Sequence, residues 1–134
     1  MDLLLTHGYF LQDDRTEMRV MKPSPPLGIL YISSYLKARG FDVGVFDTTF
    51  KSFGDFSRFI AERRPPVVGI SSNLMTKLNV LRQVRLCKAE GSTVIVGGPD
   101  VPEYAEAYVG AGADAAVIGE GEATSAELVE ALHK

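Results

Sequence analysis

Any chemistry this chain performs must come from five short stretches that close its apolar runs. They are Thr6-His7-Gly8-Tyr9, Asp47-Thr48-Thr49, Ser71-Ser72-Asn73-Leu74-Met75-Thr76, Gly97-Gly98-Pro99 and Gly119-Glu120-Gly121-Glu122. Hydroxyls, small side chains and glycines dominate them. A hydrolytic site needs an activated nucleophile and a positioned base, and no convincing pair of that kind stands in these stretches. Their texture suits binding instead. Glycine lets a backbone approach a flat or long ligand closely, and hydroxyls satisfy the polar atoms such a ligand buries. His7 is the sharpest single candidate, because it ends the first apolar run; it can approach a metal, touch a ligand or simply fill the rim. His133 is next to the last residue and reads as solvated.

The elements that would position these stretches follow from period and punctuation. Asp2 to Thr6 reads as a strand, and the polar, proline-bearing segment from Gly8 to Pro26 as a long loop of the kind that is often functional. Its Asp13-Asp14-Arg15 tip reads as a solvated excursion. Pro25 and Pro26 suit the first turn of a helix, which the Ile29, Ile32, Leu36 stripe carries from Leu27 to about Arg39 before Gly40 stops it. Val43 to Asp47 is a second strand and Phe53 to Arg63 a second helix, with Phe53, Phe56 and Phe59 as core or domain-contact residues. Pro65-Pro66 breaks that helix ahead of a strand over Val67 to Ser72. Leu74 to Glu90 reads as the next helix, with Val80, Val84 and Cys87 on one line and Leu81, Val84 and Lys88 on another; Gly91 ends it. Thr93 to Val96 is a strand. Asp100 and Glu103 have capping-box spacing for a helix to about Val109. Ala115 to Ile118 is the fifth strand, and Thr124 with Glu127 opens a last helix.

Five β/α units with continuous apolar strands predict a sheet covered on both faces. The expected architecture is an α/β, flavodoxin-like (Rossmann-like) three-layer sandwich with a five-stranded parallel sheet in the order 2-1-3-4-5. In such a sheet ligands bind beyond the carboxyl ends of the strands, where all five stretches fall.

Composition narrows the function classes. The 134 residues fit one domain, spanning 1–134. Apolar residues make up 46% and charged residues 23%, so a packed core rather than disorder is expected. A net charge of −3 supplies no electrostatic footprint for nucleic acid or an anionic membrane. No apolar run reaches the length of a membrane span, and no basic segment precedes Leu3-Leu4-Leu5 to make a signal peptide. Cys87 is the only cysteine, which excludes an internal disulfide, a cysteine-built zinc site and a self-contained iron–sulfur cluster. It falls on an inner helix stripe and reads as a small buried hydrophobe. The expected compartment is the cytoplasm.

Three common occupants of this fold fail on their motifs. A phosphoacceptor receiver needs an aspartate where Ser71-Ser72-Asn73 stands; a flavodoxin needs a hydroxyl-rich phosphate loop where His7-Gly8-Tyr9-Phe10 stands; a dinucleotide fingerprint is absent. A fourth matches. Pro25-Pro26-Leu27-Gly28-Ile29, Val45-Phe46-Asp47, Val68-Gly69-Ile70-Ser71-Ser72, Val96-Gly97-Gly98-Pro99 and Val117-Ile118-Gly119-Glu120-Gly121-Glu122 follow one another in order. Together they resemble the N-terminal cobalamin-binding domain of radical SAM enzymes, the group of the class B methyltransferases and the anaerobic magnesium-protoporphyrin monomethyl ester oxidative cyclase. The resemblance covers nearly the whole chain. Ser72-Asn73-Leu74 matches the Ser-x-Leu element of the wider cobalamin fold and Gly97-Gly98 its Gly-Gly element, whereas Asp-x-His-x-x-Gly occurs nowhere.

The resemblance implies cobalamin as the cofactor, held without the usual histidine below the cobalt. It implies a site made of His7, Ser71, Ser72, Leu74, Thr76, Gly97, Gly98, Pro99, Gly119, Glu120 and Gly121. In it Ser72 would bond the nucleotide tail, Leu74 would pack on its base, Gly97 and Gly98 would make room, and Gly119-Glu120-Gly121 would meet the corrin amides. It implies a larger parent enzyme running methyl transfer or oxidative cyclisation on a small molecule. The partner would be a radical SAM barrel of the same chain, carrying S-adenosylmethionine and a [4Fe-4S] cluster; that barrel's Cys-x-x-x-Cys-x-x-Cys motif is absent here, so these residues alone would not be catalytic. The bland alternatives stay open. Gly97-Gly98 is also a strand-to-helix turn, Ser71 and Ser72 are also caps, Glu120 and Glu122 suit a helix start, and Asp47 suits a turn. A module that kept the fold, lost the cofactor and serves as a docking scaffold fits the same residues, as does a free-standing small-molecule sensor or nucleotide binder of flavodoxin-like fold.

Overall fold

The computed structural model of the chain describes residues 2–10, 27–72, 76–98 and 101–117. Five strands carry the core: β1 Leu3–His7, β2 Val43–Phe46, β3 Val67–Ser71, β4 Thr93–Gly97 and β5 Ala115–Val117. Among the described residues four helices alternate with them: α1 Leu27–Ala38, α2 Phe53–Arg63, α3 Lys77–Ala89 and α4 Val101–Gly110. The sheet is parallel throughout and ordered β2-β1-β3-β4-β5, the expected doubly wound topology.

Alternation along each strand divides the core between two faces. Leu4, Val68, Ile70, Val94 and Val96 pack with Phe56 and Ile60 of α2, Val80, Val84 and Cys87 of α3, and Tyr108 of α4. Leu3, Leu5, Val43, Val67, Ile95 and Val117 pack with Leu36 of α1 on the opposite face. Each fully buried Leu, Ile, Val or Phe contributes about 1.5–3 kcal/mol through removal from water. The phenylalanines fill the core beside β2 as expected: Phe46 lies 5.7 Å from Phe56 and 4.8 Å from Phe59, centroid to centroid. Cys87 is fully buried, and burial pushes its thiol up to about 12, so it behaves as an inert apolar group. No helix among the described residues is long and apolar enough to cross a membrane.

Several element ends differ from the expected ones. β1 and β4 each extend into the residue after the apolar run, so His7 and Gly97 are strand residues, paired in register. β2 and β3 stop one residue early, at Phe46 and Ser71. α3 begins at Lys77 rather than Leu74, because Thr76 takes the non-helical N-cap position at φ −103° and ψ 0°. α2 starts with a capping box that the expected boundaries did not invoke: Ser52 Oγ accepts from Asp55 N–H, and Asp55 accepts from Ser52 N–H. The Asp13-Asp14-Arg15 loop tip, the Asp100 cap and the Thr124 helix lie outside the described residues.

A carboxylate ties β5 to its neighbour. Asp114 accepts the N–H of buried Val94 at 2.8 Å and the Lys88 ammonium at 3.0 Å. Partial burial raises its pKa, but the Val94 N–H and the Lys88 charge outweigh that and hold it below the ordinary 3.8. A carboxyl lowered in the folded state stabilises above its unfolded value, and that stability is lost as pH falls through the folded value. Asp114→Ala should therefore cost about 1–2 kcal/mol at neutral pH, since it strands a buried N–H. Urea titrations of the two proteins should converge as the pH falls below 3.8.

Candidate functional site

The sheet register places the candidate residues in one row. His7 pairs with Ser71, Ser71 with Gly97 and Gly97 with Val117, so these four form the carboxyl edge of β1, β3, β4 and β5. Ser71 is exposed and Gly97 half-buried, while His7 and Val117 are buried. Among the described residues, a Cβ built on Gly97 would have only Val117 Cβ within 4 Å, at 3.8 Å.

One residue further out, the two loops lock together. Ser72 N–H donates to Gly97 O at 2.8 Å. Gly98 has φ +134°, and a Cβ there would lie 1.9 Å from Ser72 O. Gly98 is thus glycine for two reasons internal to the fold, a left-handed backbone and a backbone crossing. Gly97 has neither reason, so the two adjacent glycines have separable roles. The Ser72 hydroxyl is buried and lies 2.5 Å from the Tyr108 hydroxyl of α4. A ligand that used Ser72 would exchange this bond for its own.

His7 is the most constrained side chain at the edge, being 8% exposed. Its Nδ1 accepts the Tyr9 N–H at 3.2 Å, so in the neutral ring the proton is on Nε2, which donates to Asp47 Oδ1 at 2.8 Å. Both nitrogens are therefore engaged within the protein. The main chain around it is clasped by Thr48 of the rim and by Asn79 and Gln83, two residues that the sequence motifs do not include. Gln83 Nε2 donates to His7 O at 2.9 Å, Asn79 Nδ2 to Gly8 O at 3.0 Å, and Thr48 Oγ1 to Tyr9 O at 2.6 Å. Gly8 permits the approach to α3, since a Cβ there would meet Val80 Cγ2 at 2.6 Å. Gln83 is fully buried and its Oε1 has no protein partner among the described residues. Asn79 and Gln83 are four apart on α3, hence on one face; a glutamine beside Val80, Val84 and Cys87 was the available signal.

Asp47, which suited a turn in the sequence, does more. Its Oδ1 accepts from His7 Nε2, from Thr49 N–H at 3.0 Å and from Thr49 Oγ1 at 2.6 Å. Partial desolvation raises its pKa, but the Thr49 and His7 hydrogen bonds outweigh it and leave the carboxyl below its ordinary range. Thr76 is buried at the N-cap of α3. Leu74, Pro99, Gly119, Glu120 and Gly121 lie outside the described residues. No group of three or more metal-binding side chains occurs among the described residues.

This end of the sheet thus brings together exposed Ser71, half-buried Gly97, a buried Gln83 Oε1 with no partner among the described residues, and an ionised carboxylate. A family model described as "B12 binding domain" matches residues 19–129. The chain belongs to the B12-binding domain family. It is 33% identical over 117 residues to an uncharacterized methyltransferase of Pyrococcus horikoshii, covering 82% of this chain and 25% of that protein. It is 29% identical over 110 residues to an uncharacterized methyltransferase of Synechocystis, covering 82% of this chain and 20% of the other. The chain thus spans a quarter or less of the length of these curated relatives. Among solved structures, the response regulator domain of Thermotoga maritima CheB superposes with a TM-score of 0.57 at 16% identity, over 98% of this chain and 92% of that one. That likeness is one of fold.

The residues present fit the cofactor of this family at this edge. Among the described residues only Val117 Cβ stands within 4 Å of a Cβ built on Gly97, and Ser71 beside it is exposed. The two glycines should separate in experiment. Gly98→Ala should cost at least about 2–3 kcal/mol, because strain and clash add. Gly97→Ala should stay within about 1 kcal/mol of the parent, because its new methyl meets only ordinary contact. Thermal and urea unfolding of the two variants measure this directly.

Proposed function

We propose that this B12-binding domain holds cobalamin with no histidine beneath the cobalt, as the corrinoid module of a radical SAM enzyme. The observation that carries the reading is the engagement of both His7 nitrogens, by Asp47 and by the Tyr9 N–H. Ligation of cobalt by His7 would require breaking one of these bonds in a nearly buried setting, at a cost of about 1–3 kcal/mol. The absence of Asp-x-His-x-x-Gly from the sequence points the same way.

In this reading the chain's own residues bind and orient. Gly97 and Ser71 flank the tail, Ser72 offers its hydroxyl in exchange for Tyr108, and the clasped His7–Tyr9 segment provides a rigid floor. When bound, the cofactor supplies a cobalt centre able to carry a methyl group or to take part in one-electron chemistry. Methyl transfer is the reaction suggested by the names of the two relatives, and oxidative cyclisation is the other reaction of the group this sequence resembles. The remaining three quarters or more of such an enzyme would supply the radical SAM barrel, its S-adenosylmethionine and [4Fe-4S] cluster, and the small-molecule substrate site. The lone buried cysteine suits a cytoplasmic setting.

The test is to mix the purified chain with hydroxocobalamin, desalt it and record the visible spectrum. Corrin bands should remain with the protein, and Gly97→Leu should lose them while keeping its melting temperature within a few degrees. After reduction to Co(II), any nitrogen splitting in the electron paramagnetic resonance spectrum should be unchanged by His7→Gln. A splitting that vanishes in His7→Gln would overturn the ligation reading. A colourless eluate would favour the docking scaffold.

A further inference from the structure

We infer that Asp47 is a specificity-determining residue of the cofactor site, with its free oxygen accepting a neutral N–H or O–H donor from the periphery of the ligand. This rests on the cobalamin reading above. Three features of the carboxylate carry it. First, its two oxygens are used unequally: Oδ1 takes three donors, from His7 Nε2, Thr49 N–H and Thr49 Oγ1, whereas Oδ2 has no hydrogen-bond partner among the described residues. Second, those three bonds fix its orientation. A solvated surface carboxylate normally rotates, but this one is held by a nearly buried imidazole and by Thr49, itself 3% exposed. Such a preset acceptor binds with little ordering cost. Third, the bond to His7 leans the group from the end of β2 toward β1, and so toward the switch between β1 and β3 where ligands enter this fold.

The side chain is 46% exposed, so its second oxygen is reachable. The hydrogen bonds to Oδ1 keep it ionised, hence a pure acceptor. A corrinoid carries two kinds of neutral donor that match: the carboxamides around its ring and the ribose hydroxyl of its nucleotide tail. A ligand carboxylate at the same place would be repelled.

Asp47→Asn tests this by inverting one position only. The three donors around Oδ1 require an oxygen there, so the amide nitrogen must take the free position and offer N–H where the wild type accepts. The chain should bind cobalamin about tenfold more weakly after this change, with its circular dichroism and melting profile retained. The reciprocal arm uses cobalamin monocarboxylates, made by hydrolysing one ring carboxamide. At least one isomer should bind the wild type tenfold or more below cobalamin and recover on Asp47→Asn, if the partner is a carboxamide. If the partner is the ribose hydroxyl, the Asp47→Asn penalty should disappear with cobinamide, which lacks the tail. Should Asp47→Asn fail to fold, the wild-type series still decides: all monocarboxylates and cobinamide binding as well as cobalamin would overturn the inference. So would a folded Asp47→Asn within twofold of wild type for every ligand. If the wild type retains no cobalamin at all, the cofactor reading itself fails, which is a different result.

Discussion

The crossing of the Gly98 backbone over Ser72 is the constraint on which the carboxyl edge depends. Ser72 N–H reaches Gly97 O at 2.8 Å, and Gly98 has no room for a side chain against Ser72 O. Through this contact Ser72, which leaves β3, and Gly98, which leaves β4, are held against each other. The spacing of Ser71 and Gly97 is therefore fixed by backbone contacts, the strand register and the Ser72 N–H to Gly97 O bond. A hydrogen bond made at the end of a strand usually frays; this one is backed by the buried Ser72–Tyr108 hydroxyl pair, which draws α4 against the same point.

The other half of the edge is built differently. Around His7 the rigidity comes from side chains, with Gln83 and Asn79 reaching from α3 and Thr48 reaching from the end of β2 to the same three-residue stretch of main chain. Buried polar groups are costly unless satisfied, so a cluster this dense specifies one arrangement. Gln83 Oε1 has no partner among the described residues, and it lies against Gly8, 3.3 Å from where a Cβ would stand. The histidine thus orients Asp47 through its Nε2 while its Nδ1 holds the Tyr9 N–H.

Period and punctuation made the strand order, the helix sequence and the small-residue edge legible, because five apolar runs separated by Gly and Pro admit few topologies. The Ser-x-Leu and Gly-Gly spacings made the family legible. Pairings across long separations were not. Ser72 meets Tyr108 and His7 meets Asp47 only once helix rotation and strand register are fixed, and a single sequence encodes neither in local pattern. Gln83 was half legible: a polar residue on an apolar stripe signals a buried partner without naming it. The difference at α3 has the same origin. Helical period cannot distinguish the first turn from a cap, and Thr76 supplied no side-chain cap bond that would mark the start.

The two neighbouring glycines carry the strongest argument about function that the architecture contains. A scaffold that had lost its cofactor would still need Gly98, because without it the β3 and β4 loops collide. Gly97 answers to no such need: its φ is ordinary, its strand pairing is regular, and its nearest contact is a relaxed one. Within a strand, glycine costs about 0.5–1 kcal/mol relative to alanine. At Gly97 nothing among the described residues offsets that cost, whereas a ligand lying flat against the edge would do so. In the reading proposed above, Gly97 is the residue that most directly separates a cofactor-binding domain from a fold that has lost its ligand.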